Sequence, residues 1–145
     1  MNLDTAIWDV LVRLPLAALL GGLIGLERET EGKPAGLRTN MMVALGAATF
    51  TLVSANLVSA EDAGDPTRVV TGVATGIGFL GAGSIIQSRG KVEGVTTAAG
   101  VWVVGAIGAA CGLGAYLIAS VAALLALAIL AVVLRLEKKA DIQHE

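Results

Sequence analysis

Two groups of residues in this chain have types and spacings that could do chemistry. The glycine-rich run GIGFLGAG, residues 76–83, contains the G-x-G-x-x-G order of a dinucleotide-binding turn. A set of polar residues between two apolar stretches could instead form a binding site: Glu27, Arg28, Arg38, Thr39 and Asn40. Which chemistry is available to either group depends on the elements that hold it.

The composition is typical of a membrane protein. Hydrophobic residues make up 55% of the 145 residues and charged residues only 15%, against roughly 25% in soluble domains. The net charge of −2 shows no basic excess, which argues against nucleic-acid binding. Cys111 is the single cysteine, so neither an intramolecular disulfide nor a cysteine-rich metal cluster can form.

Five apolar segments approach or reach the roughly 20 residues that a helix needs to cross a bilayer. Charged patches separate them: Ile7 to Leu26, Met41 to Val58, Val69 to Ile86, Val95 to Leu113, and Tyr116 to Leu134. The sequence therefore predicts an all-α, polytopic membrane bundle of five transmembrane helices over residues 1–136. Residues 137–145 would form a short charged cytoplasmic tail.

Positive charge is concentrated in alternate connections. Lys and Arg follow the first, third and fifth segments: Arg28, Lys33, Arg38, Arg89, Lys91, Arg135, Lys138 and Lys139. The opposite connections carry only Arg68. Because Lys and Arg are retained on the cytoplasmic side, we predict that the amino end lies outside and the carboxyl end in the cytoplasm.

The glycine-rich run lies inside the third apolar segment, and this position argues against its interpretation as a dinucleotide-binding turn. A dinucleotide turn needs a preceding strand and an acidic residue about 20 positions further on. No strand pattern precedes the run, and Glu93 is the only acidic residue within reach and is too close.

Read as a helix, the third segment presents small residues on two faces. Gly72, Gly76 and Gly83 share one face, and Gly78 and Gly81 lie on nearly the opposite one. The pattern predicts close packing on both faces and makes this segment the central helix. A local break whose backbone lines a site is the alternative. Similar stripes are present in the first and fourth segments: Gly21 and Gly25, and Gly105 and Gly108.

Two cytoplasmic connections share the pattern G-K-x-x-G-[L/V]-x-T, at residues 32–39 and 90–97. The match indicates either a duplicated two-helix unit or a coincidence. Thr39 and Thr97 end the two copies and could cap helix N-termini that open at the cytoplasmic face. Such termini favour anions, and Arg38 would strengthen the attraction. Simple capping without a ligand is the alternative.

Charged residues near the outer ends of the segments are further candidates. Asp65 would form a turn or cap, and Arg68 would begin the third helix; both are included among the binding candidates. Arg13 would pair with Asp9, one helical turn earlier, and extend outward.

Three stretches resemble the conserved membrane domain of the MgtC/SapB family: GLIGLERETEGKPAGLRTNMMVALGAA, DPTRVVTGVATGIGFLGAGSII and VEGVTTAAGVWVVGAIGAACGLG. The resemblance covers about residues 8–135. It implies a five-helix, multi-pass protein of the bacterial cytoplasmic (inner) membrane. It also implies a link to magnesium homeostasis and, in some pathogens, to survival inside host cells.

Three features depart from the family pattern. Longer members carry a soluble cytoplasmic domain after the fifth helix, whereas this sequence has only RLEKKADIQHE there. A regulatory role residing in that domain is therefore not carried over. Asn40 stands where a His is frequent in relatives, and Gly100 replaces a larger residue. Either change could alter a polar site without altering the fold.

The leading functional hypothesis is a magnesium-homeostasis membrane protein, acting as a magnesium transporter or as a modulator of membrane transport. Magnesium prefers oxygen ligands, yet Asp9 is the only acidic side chain within the apolar segments. Magnesium is thus a candidate substrate without assigned metal ligands, and no cofactor is expected. The alternatives are a channel or carrier for an anionic solute, supported by Arg28 and Arg38, and a docking subunit of another membrane complex.

No enzyme is indicated. His144 is the only histidine and lies in the tail, and no nucleophile is paired with a base. The expected partners are the lipid bilayer, other membrane proteins and a second copy of the chain. We expect a homodimer with the third or fifth segment at its interface.

Overall fold

The computed structural model describes residues 3–58, 67–88 and 91–142, which form five helices and a two-stranded hairpin. The elements are α1 (Leu3–Thr30), α2 (Leu37–Val58), α3 (Thr67–Ala82), β1 (Ile86–Ser88), β2 (Lys91–Glu93), α4 (Val95–Gly112) and α5 (Tyr116–Ile142). The predicted all-α class is confirmed, with the antiparallel β1–β2 hairpin as an addition. Helix α5 continues past the predicted end at Leu134, so the charged tail begins as helix.

The surface of the described helices is strongly apolar. Trp8, Phe79 and Leu117 are between 67% and 81% exposed. Soluble monomers rarely expose large contiguous apolar areas. Two helical spans, Ile7–Thr30 and Val95–Gly112, also have the length and hydropathy to cross a bilayer. Together with the composition, these observations indicate a membrane protein.

Helix α4 is the centre of the bundle. It packs against α1, α2, α3 and α5, whereas α3 lies at the edge. In the described part of the chain, no neighbouring atom lies within 4 Å of a Cβ built on Gly72, Gly76 or Gly78. The prediction that the third segment is the central helix is therefore wrong, because in the described residues α3 packs mainly against α4 alone and three of its glycines face open space.

The α1–α2 contact depends on two glycines of α1. A Cβ on Gly21 would lie 2.7 Å from the Cβ of Ala44, and a Cβ on Gly25 would lie 2.7 Å from the Cα of Leu37. Real side chains do not approach so closely, so only glycine fits at either position. The two helices consequently pack along most of their lengths.

The α2–α4 contact is equally close. A Cβ on Gly108 would overlap the backbone of Ala44, and a Cβ on Gly105 would overlap the side chain of Ile77 in α3. The buried hydroxyl of Thr51 lies 3.1 Å from the carbonyl oxygen of Ala109, within hydrogen-bond distance. Small residues on α4 therefore bring its backbone near neighbours on more than one side.

Helix α3 is continuous from Thr67 to Ala82 and ends before the predicted boundary at Ile86. The backbone N–H and the hydroxyl of Ser84 both donate to the carbonyl of Gly81, at 2.9 and 2.7 Å. These bonds close the last turn, and the β-branched residues that follow favour an extended chain. The alternative of a break inside the helix is not observed. Gly83 lies in the closing turn, and a Cβ on Gly81 would lie 3.2 Å from Ala98 of α4.

Helix α2 is capped by a carboxylate from α1. The Oε2 atom of Glu29 accepts a hydrogen bond from the N–H of Leu37 at 2.8 Å. Thr39 and Thr97 lie at the third positions of α2 and α4, and the residue before α4 is Gly94, with φ of 89° and no side-chain cap. The prediction that Thr39 and Thr97 cap these helices is therefore wrong, because each helix begins two residues before its threonine.

The first prediction concerns the α4 crossing. Gly108→Val should lower the free energy of unfolding by about 2–3 kcal/mol, because the added side chain would overlap the Ala44 backbone and overpacking costs this much. Gly78→Val is the matched control, since its Cβ position is open. The measurement is thermal unfolding in detergent micelles, followed by circular dichroism. Equal melting temperatures for the two variants would contradict the packing described for α4.

The second prediction concerns the cap of α2. Glu29→Ala should lower the free energy of unfolding by about 1 kcal/mol, since it removes the acceptor for the N–H of Leu37. Thr39→Ala should leave stability unchanged. Hydrogen exchange of the first turn of α2 measures the effect locally. If Thr39→Ala accelerated exchange there and Glu29→Ala did not, the threonine would be the cap.

Candidate functional site

A polar cavity of about 550 Å³ lies where the end of α1, the turn after it, β2 and the start of α4 meet, against α5. Its polar lining consists of Arg28, Lys33, Glu93, Thr96 and Thr97, and Ile129 and Leu130 of α5 close an apolar side. We call it the Arg28 cavity. It brings together two predicted site residues, Arg28 and Thr97, that are far apart in sequence.

Arg28 carries the buried charge of this cavity. The residue is only 4% exposed. Its Nε and Nη2 atoms donate to the two carboxylate oxygens of Glu27 at 2.5 and 2.6 Å, a bidentate ion pair. An unpaired buried charge would be strongly destabilising. Glu27, whose side chain is 18% exposed, therefore makes the position of Arg28 tolerable.

The remaining polar lining adds charges of both signs. Lys33 and Glu93 are exposed at the rim, and Thr97 is 5% exposed in the first turn of α4. Among the described lining residues, Arg28 and Lys33 are cations and Glu93 is the single carboxylate. Lys33 and Glu93 were not among the sequence candidates. Both lie inside the repeated G-K-x-x-G pattern, and each copy supplies one charged residue to the cavity lining.

Asn40 stabilises the turn between α1 and α2. The residue is 1% exposed, and its Nδ2 atom donates to the carbonyls of Ala35 and Gly36, the latter at 2.9 Å. Ala35 has a φ of 56°, a left-handed conformation that is uncommon for a residue with a Cβ. The amide of Asn40 thus holds a strained turn. It does not line the Arg28 cavity.

The other members of the predicted cluster lie apart from the cavity. Arg38 and Thr39 are exposed in the first turn of α2 and are absent from the cavity lining. Arg68 lies in the first turn of α3, beside an apolar groove between α2 and α3. Asp65 lies outside the described residues. The fold therefore brings Arg28 and Thr97 together and separates Arg38, Thr39 and Arg68 from them.

Arg13 joins α1 to the end of α4. Its Nη2 atom lies 3.0 Å from Oδ1 of Asp9, so the predicted ion pair is observed. Its Nη1 atom also donates to the carbonyl of Gly112 at 2.9 Å. A cation at the C-terminus of a helix is favourable for its dipole. Arg13 therefore has a structural role at the end of the bundle opposite the Arg28 cavity.

The described residues contain no group of three or more His, Cys, Asp or Glu side chains that could hold a metal ion. Magnesium is bound through oxygen ligands, commonly carboxylates and waters. A preformed carboxylate site for magnesium is therefore not found in residues 3–58, 67–88 and 91–142.

Comparison with known proteins identifies relatives over most of the chain. A profile of the MgtC family matches residues 14–139. Similar proteins include "Putative magnesium transporter YhiD" of Escherichia coli K12, 44% identical over 113 residues, and Protein MgtC of Brucella abortus strain 2308, 49% identical over 113 residues. Protein SrpB of Synechococcus elongatus is 45% identical over 118 residues.

These alignments cover 74%, 78% and 70% of this chain, and 53%, 46% and 62% of the respective relatives. The chain thus spans about half the length of the curated relatives it matches. No solved structure matches the chain. The family match includes residues of all five described helices and the whole lining of the Arg28 cavity. Because the family profile matches residues 14–139, which is most of the sequence, the chain belongs to the MgtC family.

Proposed function

We propose that this chain is a multi-pass protein of the bacterial inner membrane that serves magnesium homeostasis, with the Arg28 cavity as its functional site. Membership of the MgtC family supports the proposal, as does the relative YhiD, whose name describes a magnesium transporter. The observation that carries it is the buried, ion-paired Arg28 beside a polar cavity. Ionisable groups within a membrane bundle are costly and commonly mark functional sites. The proposed role is non-enzymatic and needs no cofactor.

The proposal includes five spanning helices with the amino end outside and the carboxyl end in the cytoplasm. The Arg28 cavity is lined by the turn after α1 and by the hairpin after α3. Together with the adjoining ends of α1 and α2, these two connections carry five of the Lys and Arg residues, and such residues are retained in the cytoplasm. The bond between Arg13 and Gly112 lies at the other end of the bundle. The cavity would therefore open at the cytoplasmic face.

The charges of the cavity favour modulation of transport over conduction of magnesium. Glu27 already neutralises Arg28, and the exposed Lys33 offsets Glu93, so a divalent cation entering the cavity would find Glu93 as the single carboxylate of the described lining. Magnesium gives up its waters reluctantly and requires well-placed oxygen ligands. We therefore propose that the chain regulates magnesium content through what the cavity binds, with conduction by the chain itself as the alternative.

The same charges support a second candidate function, the binding or carriage of an anionic solute. Arg28 is paired with Glu27, but Lys33 is an exposed cation at the rim, and the hydroxyls of Thr96 and Thr97 can donate hydrogen bonds. An ammonium group beside hydroxyl donors can bind a small anion such as phosphate.

The third prediction tests the cavity. In a bacterial strain whose own gene for this protein has been deleted, the Arg28→Gln variant should fail to restore growth in magnesium-poor medium. The reason is that the substitution removes the buried charge. Arg38→Gln is the matched control, since Arg38 is exposed and outside the cavity. Immunoblots of membranes would establish that both variants are present in equal amounts. Full complementation by Arg28→Gln would overturn the assignment of the site.

Flux into sealed liposomes separates the mechanisms. We expect vesicles with the wild-type chain to take up magnesium no faster than empty vesicles. Magnesium uptake that Arg28→Gln abolishes would establish a transporter. Phosphate uptake abolished by the same variant would establish an anion carrier.

The fourth prediction concerns a homodimer, which we propose to form through α5. Leu117, Val121 and Leu124 are exposed along one face of this helix, and Ala123 is buried against the bundle. In a Cys111→Ser background, single cysteines at positions 117, 121 and 124 should cross-link into dimers in membranes. A cysteine at position 123 should not. Cross-linking at no position of α5, or equally at all four, would contradict this interface.

A further inference from the structure

An apolar groove of about 730 Å³ separates α2 from α3. Side chains of Val43, Phe50, Val73 and Ile77 line it, together with the glycines Gly46, Gly72 and Gly76. No neighbouring atom in the described part of the chain lies within 4 Å of a Cβ built on any of these three glycines. The missing side chains therefore create the space, and nothing else in residues 3–58, 67–88 and 91–142 fills it.

The groove opens to the face of the bundle that would contact lipid. Met42, Phe50 and Leu80 line it and are 67%, 66% and 57% exposed. From Arg68 to Leu80 the groove follows α3 for about 18 Å, at a rise of 1.5 Å per residue. Half of the hydrocarbon core of a bilayer is about 15 Å thick. The groove thus has the length of one lipid acyl chain lying in one leaflet.

One end of the groove carries a positive charge. Arg68 is the only charged residue among the described residues that line it, and it is exposed in the first turn of α3. A guanidinium group pairs well with a phosphate through two parallel hydrogen bonds. The positive end of the α3 dipole adds to the attraction. An occupant that is apolar along its length and anionic at this end would match both parts of the surface.

We propose that the α2–α3 groove binds an anionic phospholipid, with an acyl chain along Gly46, Gly72 and Gly76 and the phosphate at Arg68. A helix of a second copy is the competing occupant, because Gly72 and Gly76 have the small-xxx-small spacing of helix dimers. Two parallel α3 helices crossing there would place their Arg68 side chains, one turn away, close to each other. Like charges repel strongly near a medium of low dielectric constant, so the charge at the end of the groove favours the lipid.

The fifth prediction tests this occupant by native mass spectrometry of the full chain in detergent, titrated with phosphatidylglycerol or with phosphatidylethanolamine. The wild type should retain phosphatidylglycerol in preference to the zwitterionic lipid. Arg68→Gln should weaken phosphatidylglycerol binding about fivefold, the contribution expected of one Arg near an anionic headgroup. Gly76→Leu should abolish binding of both lipids by filling the groove. Gly78→Leu should bind as the wild type does, because Gly78 is open but lies outside the groove.

The remaining outcomes contradict the proposal in distinguishable ways. Equal lipid binding by Gly76→Leu and Gly78→Leu would show that the groove is not the lipid site. Conversion of a dimer to a monomer by Gly76→Leu, with lipid binding unchanged, would assign the groove to a second copy. Release of the bound lipid from Arg68 by excess inorganic phosphate, with loss of the headgroup preference, would assign Arg68 to free phosphate.

Discussion

The crossing of α4 with α2 is the contact on which the rest of the bundle depends. Gly108 brings the α4 backbone against Ala44, and the hydroxyl of Thr51 lies 3.1 Å from the carbonyl of Ala109. Between helices in lipid, burial of apolar surface supplies little drive, so close packing and interhelical hydrogen bonds must hold them together. Two backbones in contact leave little freedom to shift. The position of α4 is thereby fixed, and α4 in turn positions α1, α3 and α5.

The Arg28 cavity follows from that arrangement. The tight α1–α2 contact at Gly25 forces the chain to reverse within a short turn, which Asn40 holds from the inside and Glu29 from the outside. Gly94, in a left-handed backbone conformation, connects the hairpin directly to the start of α4. The two connections therefore meet at the same end of the bundle, and Arg28 is enclosed between them with Glu27 as its counter-ion. The polar site thus depends on these turns to bring together side chains that α1, β2 and α4 carry.

Glycine has opposite consequences in different helices of this chain. On α1 and α4 it brings backbones together, as at Gly21 and Gly108, where a Cβ would clash with a neighbouring helix. On α3 it leaves a groove, as at Gly72 and Gly76, where a Cβ would meet nothing within the described chain. Glycines spaced along one face of a helix thus indicate a surface for close contact, but they do not identify what packs against it. Within the proposed bilayer, lipid is the partner that is always present.

The amino-acid sequence by itself determined the class of this protein and most of its helices. Apolar length and charge spacing predicted the helical segments, because these properties depend on composition along the chain. The start of α2, the central position of α4, the β1–β2 hairpin and the grouping of Arg28 with Lys33, Glu93 and Thr97 were decided only by tertiary structure. The reason is that a small residue specifies how closely a neighbour can approach but not which neighbour it is. A polar residue likewise acquires its role, as Asn40 and Glu29 do, from a partner that the local pattern does not name.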